Sequence, residues 1–232
     1  MKNLQKAGGI SALIAAATYV FAMGLAATLL MPMLDSSLGF QKFMTFLVAN
    51  RLLVFVWHFS MYFINGVCLT VLALALYERL QDDSPKLAKI ATVFGLFWIA
   101  FVFLSGLILI HGTQVLIDLY EKNQASAANF RLMLDTVTTG IDSSDKLLGC
   151  LWVGLVSLAA YQSRIFPRAV NLFGLAISLT GLIGTVIPAL GFVSYIFGVG
   201  AIVWWLCIGI VMLREHVKVD SVHTPSDRLS AT

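Results

Sequence analysis

Polar side chains recur at helical spacing along one long apolar segment of the chain. Arg51 stands at its start, and His58, Tyr62 and Asn65 follow at offsets of 7, 11 and 14 residues. At about 100° per residue, an α-helix places these four side chains on one stripe. A polar stripe on an otherwise apolar helix is expected to face other helices or a polar cavity rather than lipid.

A second stripe lies in the next apolar segment, where His111, Gln114 and Asp118 occupy offsets of 0, 3 and 7. In antiparallel neighbours, His58 and His111 lie seven residues from the same end of their helices. Both histidines are then expected about 10 Å below the outer membrane boundary, facing the bundle interior. The two stripes together form the candidate ligand pocket. Its expected rim consists of Asp142, Asp145 and Lys146.

The polar cluster has several interpretations. A histidine within a span can serve only to hydrogen-bond a neighbouring helix, which contributes about 0.6 kcal/mol. The same groups suit a non-enzymatic protein that binds a small molecule or a lipid group in an outward-facing pocket. A small secondary transporter is a further alternative, although the sequence after Asn65 offers little of a polar path. Whether the protein is an enzyme stays open.

A membrane-embedded metal or haem enzyme is the remaining alternative. His58, His111 and Asp118 would be a zinc set with one open position. Asp118 lies about 10 Å along the helix from His111, so a third ligand would have to come from Asp142 or Asp145. Haem between the two histidines has little room, because neighbouring helices pack about 8–10 Å apart. We therefore expect no metal and no cofactor.

The composition identifies the solvent in which these segments fold. Of 232 residues, 59% are hydrophobic and 12% are charged, and the mean hydropathy is +0.89. A soluble domain has about a quarter of its residues charged, so lipid is the expected surroundings. The net charge of +3 does not indicate nucleic-acid binding. The three cysteines lie within apolar runs without CxxC spacing, which favours simple packing.

Six segments are long enough to span a hydrocarbon core of about 30 Å, which takes about 20 residues of helix. The chain is therefore predicted to be an all-α bundle of six transmembrane helices, over residues 1–219. The predicted spans are Gly8–Leu34, Leu52–Tyr77, Ile90–Leu119, Leu147–Tyr161 with an extension at its start, Ala169–Leu190 and Phe192–Leu213.

Lysine and arginine placement predicts the orientation. With the N-terminus inside, ten of these residues lie in the inner segments and five in the outer ones. Positive residues concentrate on the cytoplasmic side of membrane proteins, so both termini are predicted to be cytoplasmic. The bilayer is the expected partner, whereas the sequence identifies no protein partner and no oligomeric state.

The longest outer segment, residues 121–145, is predicted to be a loop. Within it, residues 129–137 are expected to form a short interfacial helix with Phe130, Met133, Leu134 and Val137 toward the apolar side. Asp142 and Asp145 also fit the N-cap of the fourth span, where carboxylates accept unpaired backbone N–H groups. Residues 220–232 are predicted to be a disordered cytoplasmic tail.

Short motifs on the inner turns carry a family resemblance. They are Tyr161-Gln-Ser-Arg-Ile-Phe-Pro-Arg168 followed by Gly174-Leu-Ala-Ile, then Lys6-Ala-Gly-Gly-Ile, and Leu74-Ala-Leu-Tyr-Glu at the end of the second span. The chain thereby resembles a bacterial family of six-span membrane proteins known as domain of unknown function four-three-eight-six. The resemblance implies a six-helix fold in the bacterial inner membrane. It implies no catalytic residues.

Overall fold

The computed structural model of the protein describes residues 2–35 and 37–222. Helices make up nearly all of this part of the chain, and none of its residues lies in a β-strand. The first half contains α1 (Lys2–Thr28), α2 (Met31–Leu34), α3 (Phe40–Ala49), α4 (Arg51–His58), a π-helical segment (Phe59–Ile64) and α5 (Asn65–Leu80). The second half contains α6 (Pro85–Lys122), α7 (Gln124–Ser163), α8 (Arg168–Val186), a 3₁₀ segment (Pro188–Val193) and α9 (Ser194–Val222).

Six helical segments are long and apolar enough to cross a membrane, which confirms the predicted all-α, six-span fold. The second of them is composite, because α4, the π-helical segment and α5 run on without a break. The first span lies six residues earlier in the chain than predicted: α1 runs from Lys2 to Thr28, and the turn of α2 follows. The fifth also ends early, at Val186, because Ile187 is extended before Pro188 and proline disfavours helical geometry in the residue before it.

The spans form a ring in which each packs against its neighbours in chain order, and α9 closes the ring against α1. The α5–α6 and α7–α8 connections lie at one end of the ring, together with the first turns of α1 and the C-terminal half of α9. Gln5 Nε2 donates to the Met212 carbonyl at 3.2 Å, and the hydroxyls of Ser84 and Ser163 are 2.7 Å apart. Lys6, Lys86, Lys89, Arg164, Arg168 and Arg214 are exposed near these connections, and we call this the basic end.

Four tryptophans fill the centre of the ring. Trp98 contacts Trp152 and Trp205 with centroid distances of 5.3 and 6.1 Å, and Trp152 contacts Trp204 at 5.8 Å. Glycine on the opposing helix makes room for two of these rings: a Cβ on Gly95 would lie 2.6 Å from the Trp152 ring, and one on Gly149 would lie 2.8 Å from Trp98. The tryptophans therefore belong to the core, and two of their rings fit there because glycine stands opposite them.

Beyond the ring, at the end opposite the basic end, the chain builds a second apolar core. Helices α6 and α7 have 38 and 40 residues and so measure about 57 and 60 Å, much more than the hydrocarbon thickness of about 30 Å. Their protruding ends pack with α2, α3 and the start of α4. We call this assembly the cap. Its buried core is Leu30, Phe43, Met44, Leu47, Val54, Leu116, Ile117 and Ala127.

The prediction of a loop at residues 121–145 is wrong, because this stretch is helical and part of the cap. This stretch completes α6 and forms the first half of α7, which begins after a tight turn at Asn123, whose side chain accepts from the Ser126 N–H at 3.0 Å. There is no separate interfacial helix: Phe130 packs against the cap core, whereas Met133 and Val137 are exposed. Asp142 and Asp145 lie inside α7 and are not N-caps. The predicted tail begins within α9, which continues to Val222, and residues 223–232 lie outside the described residues.

Candidate functional site

Both histidines of the predicted pocket lie at the level where the ring meets the cap. Along their helices, His58 is about 31 Å from Arg79 and His111 is about 33 Å from Lys89. Both line the same cavity and so lie at the same level of the bundle. Their depth of about 10 Å below the outer membrane boundary stays a prediction.

After Asn65, His58 is the most enclosed residue of the candidate pocket. Its side chain is 4% exposed, and its ring lies 4.9 Å from Trp57 and 6.1 Å from Tyr62 by centroid distance. The Nδ1 atom is buried and has no hydrogen-bond partner in the structure. Most buried polar atoms in proteins are paired, and leaving one unpaired costs about 1–3 kcal/mol. His58 therefore keeps an unused hydrogen-bonding capacity beside the cavities that it lines.

Two cavities adjoin His58. The first, which we call the α4–α6 groove, has a volume of about 280 Å³ and is lined by Arg51, His58, His111, Thr113, Gln114 and neighbouring apolar residues. Four of the seven predicted pocket residues are thus brought together. Arg51, His111 and Gln114 are exposed at its mouth, and His58 forms its inner wall. No carboxylate lines the groove, so Arg51 gives its mouth a positive charge.

The second cavity, which we call the sub-cap cavity, measures about 210 Å³ and lies between the ring and the cap. His58 and Tyr62 line it from the ring, and Arg131 and Asp135 line it from α7. Arg131 lies over the Phe43 ring with its Cζ 3.5 Å from the centroid, and its Nε is 3.5 Å from an Asp135 oxygen. The cap thus holds an arginine above the same histidine that faces the groove.

Three predicted pocket residues are placed differently from the expectation. Asn65 is fully buried against α1, where its Nδ2 donates to the Ala15 carbonyl at 3.1 Å and to Thr18 Oγ1 at 3.2 Å. Asp118 lines neither cavity and accepts from Gln114 Nε2 at 2.9 Å on the exposed face of α6. His111 is exposed, so only His58 faces the interior, because α4 covers only one side of α6 at this level.

The alternative metal ligands are not gathered around one point. Asp142 and Asp145 line a different cavity from His58 and His111. Across residues 2–35 and 37–222, no three His, Cys, Asp or Glu side chains are close enough to hold one ion. The set of His58, His111 and Asp118 with either aspartate is therefore not assembled, since the two histidines lie on one side of the ring and the aspartates on another.

Sequence reasoning missed Thr113 and Arg131 as cavity residues. Thr113 lines both cavities beside His58 but lies off the stripe of His111, Gln114 and Asp118. Arg131 was assigned to a short interfacial helix within the outer loop, so no contact with Phe43 and no shared cavity with His58 was expected. Its position four residues before Asp135 in an uninterrupted helix-compatible stretch is the signal that was available.

Comparison with known proteins gives a family and no function. No curated protein and no solved structure matches the chain. A family model described as "Domain of unknown function (DUF4386)" matches residues 7–215, which includes all six spans and the cap. Because that match covers most of the 232 residues, the chain belongs to the DUF4386 family, as the motifs on its inner turns predicted.

Proposed function

We propose that this multi-pass membrane protein binds a small amphiphilic molecule between the ring and the cap, with His58 as the contact shared by two cavities. The observation that carries the proposal is the burial of His58 together with its unpaired Nδ1 at the wall of both the groove and the sub-cap cavity. Ligand sites are concave and mostly apolar, with a few placed polar groups. These cavities fit that description.

The charge at the mouth of the groove favours an anionic head group. Arg51 stands at this mouth without a carboxylate among the lining residues, whereas Arg131 in the neighbouring cavity is paired with Asp135. Arginine binds carboxylate and phosphate through charge-assisted hydrogen bonds. The remaining walls are apolar, with Phe55, Ile110 and Ile117 in the groove. The ligand class is therefore a carboxylate or phosphate amphiphile, with its head near His58 and its chain along α4 and α6.

A binding experiment tests this proposal. The purified protein in an uncharged maltoside detergent is titrated with decanoate and with decanol, and bound ligand is counted by native mass spectrometry. Decanoate should bind saturably and more tightly than decanol. Arg51→Gln should weaken decanoate binding by about tenfold, the equivalent of one charge-assisted hydrogen bond of about 1.4 kcal/mol. Arg168→Gln, the same change at the basic end, is the matched control and should leave binding unchanged.

Equal binding of decanoate to the Arg51→Gln variant would overturn the assignment of this groove.

The metal and haem alternative is tested on the same sample. Metal analysis and an absorption spectrum that reveal a stoichiometric ion or a Soret band would replace the proposal with an enzyme or redox function. The transporter alternative needs a polar path that continues past Asn65 toward the basic end. In the structure the apolar side chains of Leu69, Leu72 and Leu76 fill this part of the bundle.

The orientation completes the proposal. Both termini and the basic end lie in the cytoplasm of a bacterial cell, the ring spans the inner membrane, and the cap lies on the outer side. The excess of lysine and arginine at the basic end supports this arrangement. The ligand then approaches from the outer leaflet or from outside the membrane.

A further inference from the structure

A separate cavity lies between α1, α7 and α9, and we call it the acidic cavity. Its volume is about 350 Å³, and neither His58 nor any other residue of the His58 site lines it. Most of its wall is apolar or aromatic, with Tyr19, Trp98, Trp205 and Phe197 among the lining residues. The charged lining residues, Asp142, Asp145 and Lys146, come from less than two turns of α7.

The charges in this cavity do not cancel. Lys146 Nζ lies 2.7 Å from Asp142 Oδ2, four residues away on the same helix, and also faces the Tyr195 ring at 5.6 Å. Among the described residues Asp145 has no ion-pair partner, and the Trp98 indole N–H faces its carboxylate without a hydrogen bond of good geometry. A carboxylate buried at the membrane boundary is costly without compensation. One cation would compensate it.

The walls beside Asp145 favour an organic cation over a simple ion. Tyr19 packs edge-on against Trp205 at 5.3 Å, and Trp205 stacks on Trp98 at 6.1 Å. Faces of tryptophan and tyrosine attract ammonium groups. The indole N–H of Trp205 adds a second requirement, because this side chain is 1% exposed and its N–H has no partner among the described residues. It suits an acceptor oxygen near the cation.

The cavity opens sideways between α1 and α9. At the basic end these helices approach closely, since a Cβ on Gly209 would lie 2.9 Å from the Gly9 carbonyl oxygen. Toward the cap they bound the cavity instead, where Met23 of α1 and Tyr195 and Val199 of α9 are 49, 70 and 53% exposed. Ser194 is about 30 Å along α9 from Arg214, so the opening meets the leaflet on the cap side. A ligand with an apolar chain can enter from there.

We infer that the acidic cavity binds an amphipathic ammonium compound. The ammonium group lies against Asp145 and the faces of Tyr19 and Trp205, a neighbouring oxygen accepts from an indole N–H, and the chain leaves between α1 and α9 into the lipid. The ammonium can be carried by a single-chain amine or by the head group of an aminophospholipid. This site is independent of His58 and does not rest on the function proposed for it.

The test compares ligands that share a ten-carbon chain and carry a cationic, a neutral or an anionic head group. The purified protein is reconstituted in nanodiscs of phosphatidylglycerol, which has no amine, and titrated with decyltrimethylammonium, decanol or decanoate below their micelle concentrations. Tryptophan fluorescence reports occupancy, because two of the five tryptophans line the cavity. The cation should produce a saturable change, with an affinity about tenfold or more above that of decanol. A second arm uses phosphatidylethanolamine nanodiscs, where competition with the added cation identifies the lipid as a ligand.

Variants assign the binding to Asp145. Asp145→Asn keeps the shape and removes the charge, and it should weaken cation binding by about tenfold. Asp118→Asn is the matched control, because Asp118 is an exposed carboxylate that lines neither this cavity nor the groove. His58→Leu should leave cation binding unchanged whether or not the His58 site binds its own ligand. Thermal unfolding of each variant verifies that it is folded.

Three results would overturn the inference. They are the absence of saturable cation binding, equal affinity for decanol and the cation, and unchanged cation binding in a folded Asp145→Asn variant. A loss of binding confined to Asp145→Asn, with Asp118→Asn and His58→Leu unaffected, would support it.

Discussion

At the scale of single residues, His58 combines features that a purely structural histidine lacks. It is buried at the junction of two cavities, and one ring nitrogen has no partner. A histidine kept only for packing would be expected to bond a neighbouring helix, as Asn65 does with α1. The unpaired nitrogen therefore costs stability in the unliganded protein, which is the usual relation between function and stability at binding sites.

His58→Leu tests this relation. Leucine retains an apolar side chain of similar size and removes the unpaired nitrogen, whose burial costs about 1–3 kcal/mol. We expect the variant to unfold at a higher temperature than the wild type in detergent, while losing decanoate binding. Thermal unfolding and native mass spectrometry on the same samples measure both effects. A lower unfolding temperature would show that His58 stabilises the fold through its own contacts.

Asn65 is expected to behave differently from His58. Its Nδ2 donates to two acceptors on α1, its Oδ1 is buried without a partner, and the residue lies about 21 Å along the helix from Arg79. A hydrogen bond inside a membrane bundle contributes about 0.6 kcal/mol, and removal of the unpaired Oδ1 offsets the loss of two such bonds, so Asn65→Leu should change the free energy of unfolding by less than about 1 kcal/mol. Asn65→Asp should cost several times more, because an aspartate at this depth costs about 2.5–3.5 kcal/mol.

Reversible unfolding of both Asn65 variants in mixed micelles measures the difference. Decanoate and ammonium binding should be unaffected in Asn65→Leu, because Asn65 lines none of the three cavities considered above. Equal destabilisation by leucine and aspartate would show that packing volume, rather than polarity, governs this position.

The sequence identified part of the candidate site because periodicity tells which residues share a face of one helix. Arg51, His58, His111 and Gln114 were grouped in this way, and all four line the α4–α6 groove. Periodicity does not tell which helix that face meets. Asn65 faces α1 instead of α6. Arg131 lines the same cavity as His58 only because the cap folds over the ring. Whether these residues bind a ligand stays a prediction.

At the scale of elements, the π-helical segment explains part of the difference between the predicted and the observed stripe of the second span. Residues 59–64 carry wider turns than an α-helix, so the angles before and after them no longer follow about 100° per residue. His58 lies just before this segment and Asn65 just after it, and they face different neighbours. Such single-turn interruptions are frequent at functional sites, but hydropathy does not reveal them.

The hairpin of α6 and α7 was the largest element that the sequence did not predict. Hydropathy fails there because residues 121–145 are polar on their exposed faces and no longer resemble a span, although they remain helical. What joins the two helices is a one-residue break at Asn123, with φ −156° and ψ 105°, whose side chain caps the start of α7. The short turn fixes α6 and α7 as antiparallel neighbours and so builds the cap.

Asn123→Ala tests the role of this cap residue. Loss of a side-chain N-cap costs about 1 kcal/mol, and we expect faster hydrogen exchange of the amides in residues 124–127 with little change in the ring. Asn129→Ala is the matched control, because Asn129 is exposed inside α7 and alanine is the better helix former there. Equal exchange in the two variants would contradict the assignment of Asn123 as the residue that defines the hairpin.

At the scale of the whole molecule, the six-span ring is what the composition predicted most directly. In hydrocarbon every backbone polar group has to be satisfied within the chain, so long apolar segments have helices as their solution. The helix boundaries and the cap depended on information that composition lacks: proline geometry at Ile187, the cap at Asn123, and the packing of α3 on the ends of α6 and α7. The family assignment likewise followed from short motifs near the basic end.

The orientation of the molecule decides from which side of the membrane both proposed sites receive their ligands. Ring connections place Lys6, Lys89, Arg168 and Arg214 at one end, and ten of the fifteen lysines and arginines lie in the segments assigned to that side. A green fluorescent protein fused after residue 222 should therefore fluoresce, since it folds in the cytoplasm, whereas alkaline phosphatase fused there should be inactive. Alkaline phosphatase fused after residue 122, at the tip of the hairpin, should be active.

A fusion after residue 83, between α5 and α6, provides the control, because it must match the C-terminal fusion and differ from the one at the hairpin. The reverse pattern would put the cap in the cytoplasm, and the mouths of the groove and of the acidic cavity would then receive their ligands from the inner leaflet.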